Sequence, residues 1–430
     1  MKILIVGFCI LWIFSGICFA ESSNDDLRNE IKALKEQLRI QEEKIKQLEE
    51  RLAKEEARPT IQLGNGAIED LDRYVLGGIN IEGGATFIVQ ATDNANGSDL
   101  SQGGEDVTDG SYSIDLFVKK DFDDYGKALI HIEPGDGQGV EDELQVFSNV
   151  NRDSNDTDNS GLVTEVYYEH YFKSVPLNLA FGKMDGTILI DTNTIANDET
   201  TQFLGRIFRN SPVIEFPDNT LGLKMDIKFV DFLEARFLMM DADTDWEDIG
   251  DEGFFATQWN LKPHLFERDG NYRIIGWLND SHHTKWDNPS DNKKSSYGFG
   301  VSVDQGITDS LGIFLRYGWQ DPDVYLNSQS FSLEQSWSMG LQFNGDIWGR
   351  NNDVLGLAIG QVMPSNKYKK SDPNLKAKDE GHFEAYYNYK VNPHLTLSPD
   401  IQIIWNPYGG DAQNGDDTIT VLGLRGQVDF

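Results

Sequence analysis

Cysteine is scarce in this 430-residue chain, and its two cysteines, Cys9 and Cys18, both lie near the start. A basic residue after the first methionine, an apolar run over residues 3–14 and a small residue at Ala20 predict a secretory signal peptide over residues 1–20. An uncleaved membrane anchor is the alternative for this segment. The exported chain would contain no cysteine, so we expect no disulfide framework and a fold stabilised by other means.

Long apolar runs are also lacking. A transmembrane helix needs about 20 consecutive apolar residues, and no such stretch follows residue 20. This does not exclude a membrane protein, because strands that alternate apolar and polar residues average to a mildly polar composition.

Basic residues are outnumbered by acidic residues, 37 to 71, which gives a formal net charge of −34. The phosphate backbone of a nucleic acid would be repelled by such a chain, and so would an anionic surface. We therefore predict no nucleic-acid partner.

Motifs for catalysis are absent from the sequence, which contains no H-E-x-x-H, G-x-S-x-G or phosphate-loop pattern. Asp241, Asp243, Asp245 and Glu252 do match positions 1, 3, 5 and 12 of a calcium loop. Trp246 occupies the position at which that loop needs its glycine, so we interpret the segment as a solvated acidic loop. The sequence predicts no enzyme, no metal site and no cofactor.

Residues 24–57 carry a heptad repeat. Its core positions are Leu27, Ile31, Leu34, Leu38, Gln41, Ile45, Leu48 and Leu52. The spacing predicts an α-helical coiled coil that joins copies of the chain, and it leaves open whether two or three copies associate. A single charged helix is the alternative. The helix is expected to end at Arg58-Pro59, and residues 58–73 are a predicted linker.

From residue 74 onward the apolar period changes to two, which predicts strands with one apolar face and one polar or small face. The predicted strand 220–229, for example, alternates apolar residues with glycine, lysine and aspartate. Sixteen strands are predicted, at 77–91, 111–122, 125–134, 162–173, 177–185, 220–229, 232–241, 253–262, 271–279, 296–304, 310–319, 335–344, 353–362, 382–391, 394–405 and 418–430.

The predicted links alternate between short, such as 123–124 and 392–393, and long, such as 135–161 and 186–219. Outer-membrane barrels show this rhythm of short periplasmic turns and long external loops. We therefore predict an all-β fold, a 16-stranded antiparallel transmembrane β-barrel over residues 74–430, preceded by the coiled coil. A water-soluble all-β protein is the alternative.

The last predicted strand, 418–430, ends on the aromatic residue Phe430. In lipid a terminal strand needs a partner on each edge, so we expect it to pair with strand 77–91 and close the barrel. Sixteen strands leave an interior wide enough for water.

Three stretches resemble a known family. They are LAFGKMD at Leu179–Asp185, WGRNND at Trp348–Asp353 and EAYYNYKVNPHLTLSPDIQIIWNP at Glu384–Pro407. With them, residues 75–430 look similar to the carbohydrate-selective porin family, the OprB-like outer-membrane porins. The resemblance implies a sixteen-stranded channel that favours sugars. The coiled coil and the long acidic loops depart from the family pattern, which leaves the substrate open.

In porins of this shape a long third loop, here 186–219, tends to fold into the barrel and narrow it. Its opposed acidic and basic side chains would set a transverse electric field across the channel. Inward-facing arginines would bind the hydroxyl oxygens of a sugar. Four inward-facing aromatic residues would stack on the sugar ring: Tyr167, Tyr171, Trp277 and Phe314. The candidate pore-lining and substrate-binding residues are Asp185, Asp191, Glu199, Arg206, Arg209, Glu215, Arg236, Arg273, Arg316 and Arg425. The alternatives are charge pairing on the outer surface and general pore polarity without a sugar site.

The sequence therefore predicts an outer-membrane porin of a Gram-negative-type bacterium that passes small hydrophilic solutes, carbohydrates foremost, by passive diffusion. The expected partners are saccharides, outer-membrane lipid and further copies of the chain. A trimer through residues 24–57, in the periplasm, is favoured by analogy. The alternative function is structural, with the coiled coil tethering the envelope.

Overall fold

The computed structural model describes residues 78–97, 105–154, 163–248 and 250–430. The predicted signal peptide, the coiled coil 24–57 and the linker 58–73 lie outside this part of the chain. Among the described helices, none has the length and apolar character needed to cross a membrane.

Strands make up most of the described chain. They are β1 Ile79–Asp93, β2 Thr108–Asp121, β3 Gly126–Ile132, β4 Gly135–Asp136, β5 Val163–Phe172, β6 Leu177–Met184, β7 Thr220–Val230, β8 Leu233–Asp241, β9 Gly253–Leu261, β10 His264–Leu265, β11 Arg268–Lys285, β12 Lys294–Gly306, β13 Leu311–Gln320, β14 Val324–Leu326, β15 Leu333–Asn344, β16 Val354–Pro364, β17 Glu380–Asn392, β18 Leu395–Trp405 and β19 Ile419–Asp429. The strands β4, β10 and β14 have only two or three residues. The other sixteen form the barrel wall.

Helical segments are short and lie in the links. They are the α-helices α1 Arg206–Arg209 and α2 Tyr368–Ser371, and the 3₁₀ turns Asp123–Tyr125, Glu141–Glu143, Gly345–Trp348 and Pro407–Gly410.

The sheet closes on itself. Each long strand pairs antiparallel with the next long strand along the chain, and β19 pairs antiparallel with β1. In the closing register, Ile88 lies opposite Arg425 and Gly84 lies opposite Asp429. The predicted sixteen-stranded antiparallel barrel, closed by its last strand against its first, is therefore confirmed.

Alternate residues of each strand face opposite sides of the wall. On β11, Ile274 is 65% exposed, whereas its neighbours Arg273 and Ile275 are buried. On β19, Leu424 is 51% exposed and Arg425 is 1% exposed. The outer surface of the barrel is therefore apolar, and the inner surface carries the polar and charged side chains, because successive side chains of a strand point to opposite faces.

The strand β11 extends furthest beyond its predicted range. The strand β11 runs to Lys285 rather than to residue 279. Its register with β12 shifts between Asn279 and His283, and its end also pairs with β14. The extension, residues 280–285, contains only polar residues, so its sequence shows no apolar period, and its pairing with β14 defines it as a strand.

Links of two kinds join the barrel strands. The links after β2, β5, β7, β9, β12 and β17 are short, the link after β15 (345–353) is of medium length, and most of the links after the strands between them are longer. Since neighbouring strands are antiparallel, the links after β2, β5, β7, β9, β12, β15 and β17 lie at one end of the barrel and those after the strands between them at the other. The longest described link connects β6 to β7 over residues 185–219.

A hydrophobic core lies inside the barrel. It joins Phe203, Ile207, Phe208 and Val213 of the β6–β7 link and Phe147 of the β3–β5 link with the wall residues Phe314, Ala358, Val362 and Tyr386. A second cluster joins Leu189, Ile190 and Ile214 of the β6–β7 link with Leu238, Met240, Phe254, Ile275 and Trp277. The long links therefore supply apolar residues that cover much of the inner wall.

Candidate channel constriction

The link 185–219 lies inside the barrel, where it bonds to inward-facing side chains from several strands. Its contacts include Gln258 of β9, Ser302 and Asp304 of β12, Ser336 of β15 and Asn388 of β17. These strands lie far apart around the wall, so the link crosses the interior. We call it the constriction loop.

Arg316 of β13 anchors the constriction loop through Asp191. Its Nε lies 3.1 Å from Asp191 Oδ1, and its terminal nitrogens donate to the backbone carbonyls of Asp191 and Phe208. The second oxygen of Asp191 accepts from the Ser211 N–H at 2.7 Å. Burial raises the pKa of Asp191, and the facing guanidinium opposes that rise. This arginine therefore holds the loop and has no donor directed at a solute.

Glu384 of β17 and Arg425 of β19 fix the middle of the constriction loop. Glu384 accepts hydrogen bonds from the backbone N–H groups of Leu204 at 2.6 Å and Gly205 at 2.9 Å. A Cβ atom at position 205 would lie 2.8 Å from Glu384 Oε2, so a larger residue there would displace the carboxylate from these two N–H groups. Arg425 donates to the backbone carbonyl of Glu199 at 2.6 Å.

The link between β3 and β5, described over residues 133–154, also enters the barrel. Glu380 of β17 is fully buried and accepts from the backbone N–H groups of Phe147 at 2.8 Å, Ser148 at 3.0 Å and Tyr408 at 2.7 Å. One carboxylate thus fastens two long links to the wall. Glu380 is not among the predicted site residues. It lies four residues before Glu384 on β17 and therefore on the same face, so the spacing of the two acids could have indicated that both point inward.

A cavity of about 470 Å³ lies between the constriction loop and the part of the wall formed by β19, β1, β2, β3 and β5. Its acidic lining residues are Glu82, Asp115, Glu133, Asp153, Glu165, Asp185, Asp198, Glu199 and Asp429. Its basic lining residues are His131 and Arg209, which pair with Asp115 and Glu199 respectively. The cavity therefore has a strong excess of acidic groups.

Two carboxyl groups in this lining ionise at unusually high pH. Burial, reinforced by the nearby Asp115, raises the pKa of Glu133 to about 8. Burial, reinforced by Glu199, raises the pKa of Asp153 to about 7. One Asp153 oxygen accepts from Ser113 Oγ at 3.0 Å, and the other has no hydrogen-bond partner within the described part of the chain. The charge of the cavity therefore changes near neutral pH.

The predicted site residues are divided between the cavity and the supports of the loop. Those that line the cavity are Asp185, Glu199 and Arg209. Those that hold the loop in place are Asp191, Arg316, Arg425 and Arg236, the last of which pairs with Asp226 and donates to the Leu189 carbonyl at 2.8 Å.

The remaining predicted residues lie in other environments. Arg273 pairs with Asp304, which in turn accepts from the hydroxyl of Thr194 in the loop. Arg206 and Glu215 line a separate cavity of about 120 Å³. The inward arginines on strands therefore contact oxygens of the constriction loop or of neighbouring strands, and they do not line the 470 Å³ cavity.

The aromatic residues expected to stack on a sugar mostly support the loop. Phe314 is 2% exposed and lies 5.7 Å from Phe203, measured between ring centroids. Trp277 is 4% exposed and belongs to the cluster that contains Ile214. The phenyl ring that lines the 470 Å³ cavity is that of Phe117, which stacks on the His131 ring with centroids 4.2 Å apart.

The C-terminal part of the chain matches a family model. Residues 254–430 match the family described as carbohydrate-selective porin, OprB family. The resemblance predicted from the sequence is confirmed by this match, which covers the two C-terminal stretches, Trp348–Asp353 and Glu384–Pro407.

Solved structures share the fold. The high-pH structure of Pseudomonas putida OprB superposes with a TM-score of 0.69 at 16% identity, covering 86% of this chain and 97% of that one. The low-pH structure of the same protein gives a TM-score of 0.51 at 14% identity, covering 86% and 98%. At 14–16% identity, the similarity to these two structures shows that this chain has a porin fold.

A relative from Aquifex aeolicus (strain VF5), described as an uncharacterized protein, is 23% identical over 223 residues. The match spans 52% of this chain and 58% of that relative's length.

Proposed function

We propose that this protein is an outer-membrane porin through which small hydrophilic solutes, with carbohydrates as the preferred class, diffuse passively. The observation that carries the proposal is the acid-lined cavity between the constriction loop and the wall of a closed sixteen-stranded barrel. The match of residues 254–430 to a carbohydrate-selective porin family supports the choice of solute.

Lipid is the expected surrounding of the outer wall. Large apolar side chains such as Phe87, Ile274, Leu422 and Leu424 are more than half exposed on it, and a water-soluble protein rarely leaves contiguous apolar surface of this kind uncovered. The short links then face the periplasm and the long links the exterior.

The acidic lining suits neutral polyhydroxylated solutes and cations. Carboxylate oxygens accept hydrogen bonds from hydroxyl groups. Rings of acidic side chains favour cations over anions in channels. We therefore propose that the channel passes sugars and prefers cations to anions.

Reconstitution in planar bilayers and liposomes tests this function. We expect K⁺ to permeate more readily than Cl⁻, and liposomes to swell in solutions of small sugars at rates that fall with sugar size. At pH 9, where both carboxyls are charged, the preference for K⁺ should decrease in E133Q/D153N, because two negative charges of the lining are removed. The matched control D231N/D269N changes two acids that are more than 90% exposed, and its selectivity should equal that of the unchanged protein.

Folding must be shown independently, by heat-modifiable migration on a gel. A correctly folded barrel that gives neither ionic current nor sugar-dependent swelling would refute the channel function. Equal K⁺ and Cl⁻ permeability in the unchanged protein would refute the proposed effect of the acidic lining on ion selectivity, but not the channel function itself.

We also propose that copies of the chain associate through residues 24–57, with a trimer favoured by analogy to other porins. The alternative function is structural, with this segment tethering the envelope. Deleting these residues separates the two roles. Loss of envelope integrity with unchanged sugar flux would support the tether, and loss of flux with the barrel still inserted would contradict it.

A further inference from the structure

The loop between β8 and β9 brings three carboxylates together. Asp241 ends β8, and one carboxylate oxygen from each of Asp241, Asp243 and Asp245 lies within 4.8 Å of the others. No described Lys, Arg or His side chain forms an ion pair with any of the three. Three like charges this close repel each other unless a cation or protons compensate them.

Asp241 is buried without a partner. Its side chain is 5% exposed, and neither of its carboxylate oxygens has a hydrogen-bond partner among the described residues. The Trp246 N–H is directed towards it but does not meet hydrogen-bond geometry. Buried carboxylates are normally hydrogen-bonded, paired with a base or bound to a metal. An orphaned buried carboxylate that points at two others therefore indicates a missing cationic ligand.

We infer that Asp241, Asp243 and Asp245 bind a divalent cation, with Ca²⁺ as the expected ion. Every side-chain donor is a carboxylate oxygen, which is the ligand type of hard cations, and no imidazole or thiol of the cluster would favour zinc. Ca²⁺ fits better than Mg²⁺ because it accepts irregular coordination by carboxylates, carbonyls and water, whereas Mg²⁺ needs a nearly ideal octahedron.

The loop differs from the familiar calcium loop at two positions. Trp246, at the glycine position, has a φ of 64°, so the backbone makes the left-handed turn even with a bulky side chain. Glu252, at position 12, pairs instead with His282. The three aspartates thus supply the side-chain ligands, and water or backbone carbonyls would complete the coordination.

The position of the site links it to the constriction loop. Met240 and Phe254 flank the β8–β9 loop and pack in one cluster with Leu189 and Ile214, near the two ends of the constriction loop. A bound cation would therefore stabilise the wall on which the constriction loop rests. Cation binding itself requires no transport, so its test is independent of the proposed function.

Tb³⁺, a luminescent substitute for Ca²⁺, provides the probe, because Trp246 adjoins Asp245 and can sensitise its emission. The full chain in detergent micelles should show saturable Tb³⁺ luminescence that Ca²⁺ displaces, with an affinity of roughly 10⁻⁴–10⁻³ M, as in extracellular calcium modules. In D243N/D245N, which changes two exposed side chains, the dissociation constant should rise at least about tenfold, since two of three charged ligands are lost.

The matched control is D248N/D251N, which removes two exposed acids from the same loop outside the three-carboxylate cluster. Its dissociation constant should stay within about twofold of the unchanged value if the cluster is a specific site. W246F should lower the luminescence and leave Ca²⁺ affinity, measured by calorimetry, unchanged. Equal weakening by both double variants, or no saturable binding in the unchanged protein, would overturn the inference, because the loop would then only concentrate cations nonspecifically.

Discussion

Replacing Arg316 with methionine should release part of the constriction loop while leaving the barrel wall intact. The side chain of Arg316 is 2% exposed, and its guanidinium bonds to the Asp191 carboxylate and to the carbonyls of Asp191 and Phe208. Methionine keeps much of the apolar volume and removes every one of these donors. The remaining strand pairing of β13 involves the backbone, so the wall should still form.

The size of the effect follows from burial. Removing one partner of a buried ion pair costs about 3–5 kcal/mol, because the other charge is left without compensation. Asp191 keeps its hydrogen bond from Ser211, so we expect a value near the lower end, about 3 kcal/mol. Since 1.4 kcal/mol corresponds to about a tenfold change, the released loop should become roughly a hundredfold more populated.

Single-channel recording measures this population. The R316M channel should show additional, larger conductance levels that are rare in the unchanged channel, and limited proteolysis should cut within residues 192–208. The double variant D191N/R316Q replaces the charged pair with a neutral one and should lose only about 1–2 kcal/mol of hydrogen bonding. Its traces should therefore lie between the other two.

A matched control separates loop release from general damage. R350M removes another arginine, which pairs with Asp353 and donates to the Lys390 carbonyl and makes none of the constriction-loop contacts described above. Its conductance should be unchanged. If folded R316M gave the same conductance levels and protease pattern as the unchanged protein, Arg316 would not hold the loop.

Two further predictions concern the lining and the outer wall. Because the pKa values of Glu133 and Asp153 are raised to about 8 and about 7, both carboxyls are largely neutral near pH 6 and charged near pH 9. The ratio of K⁺ to Cl⁻ permeability should therefore increase between pH 6 and pH 9. If this ratio depended equally on pH in E133Q/D153N, these two carboxyls would not be the groups that titrate. Replacing the outward-facing Ile274 with arginine should reduce the stability of the inserted barrel, by up to about 2–4 kcal/mol, because the charge would face hydrocarbon. Reversible urea unfolding in liposomes measures this loss, and an equal stability would indicate that Ile274 does not contact lipid.

Much of the wall could be predicted because its signal is local. The strand predicted at 296–304 is observed at Lys294–Gly306, and the strand predicted at 394–405 is observed at Leu395–Trp405. Each has one face towards the interior and one towards the outside, so its sequence must alternate. The short strands β4, β10 and β14 escaped prediction because two or three residues are too few to show a period.

The candidate site was harder to predict, because it depends on contacts between distant segments. Alternation correctly places Arg316 and Arg425 on the inner face. It does not indicate that Arg316 meets Asp191, 125 residues away, or that Arg425 meets the carbonyl of Glu199, 226 residues away. The cavity lining likewise combines residues from β19, β1, β2, β3 and β5 with residues from both ends and the middle of the constriction loop.

The sequence by itself determined the number of barrel strands and the face on which each side chain lies, because a period of two records burial locally. It also predicted the closure of β19 against β1, because a terminal strand in lipid needs a partner on each edge. Only the tertiary structure decided which inward-facing charged side chains hold the long links in place and which ones line the cavity. A charged side chain bonds to whichever partner the folded chain brings within reach. That partner is set by the path of residues 185–219 through the interior, and no local pattern records this path.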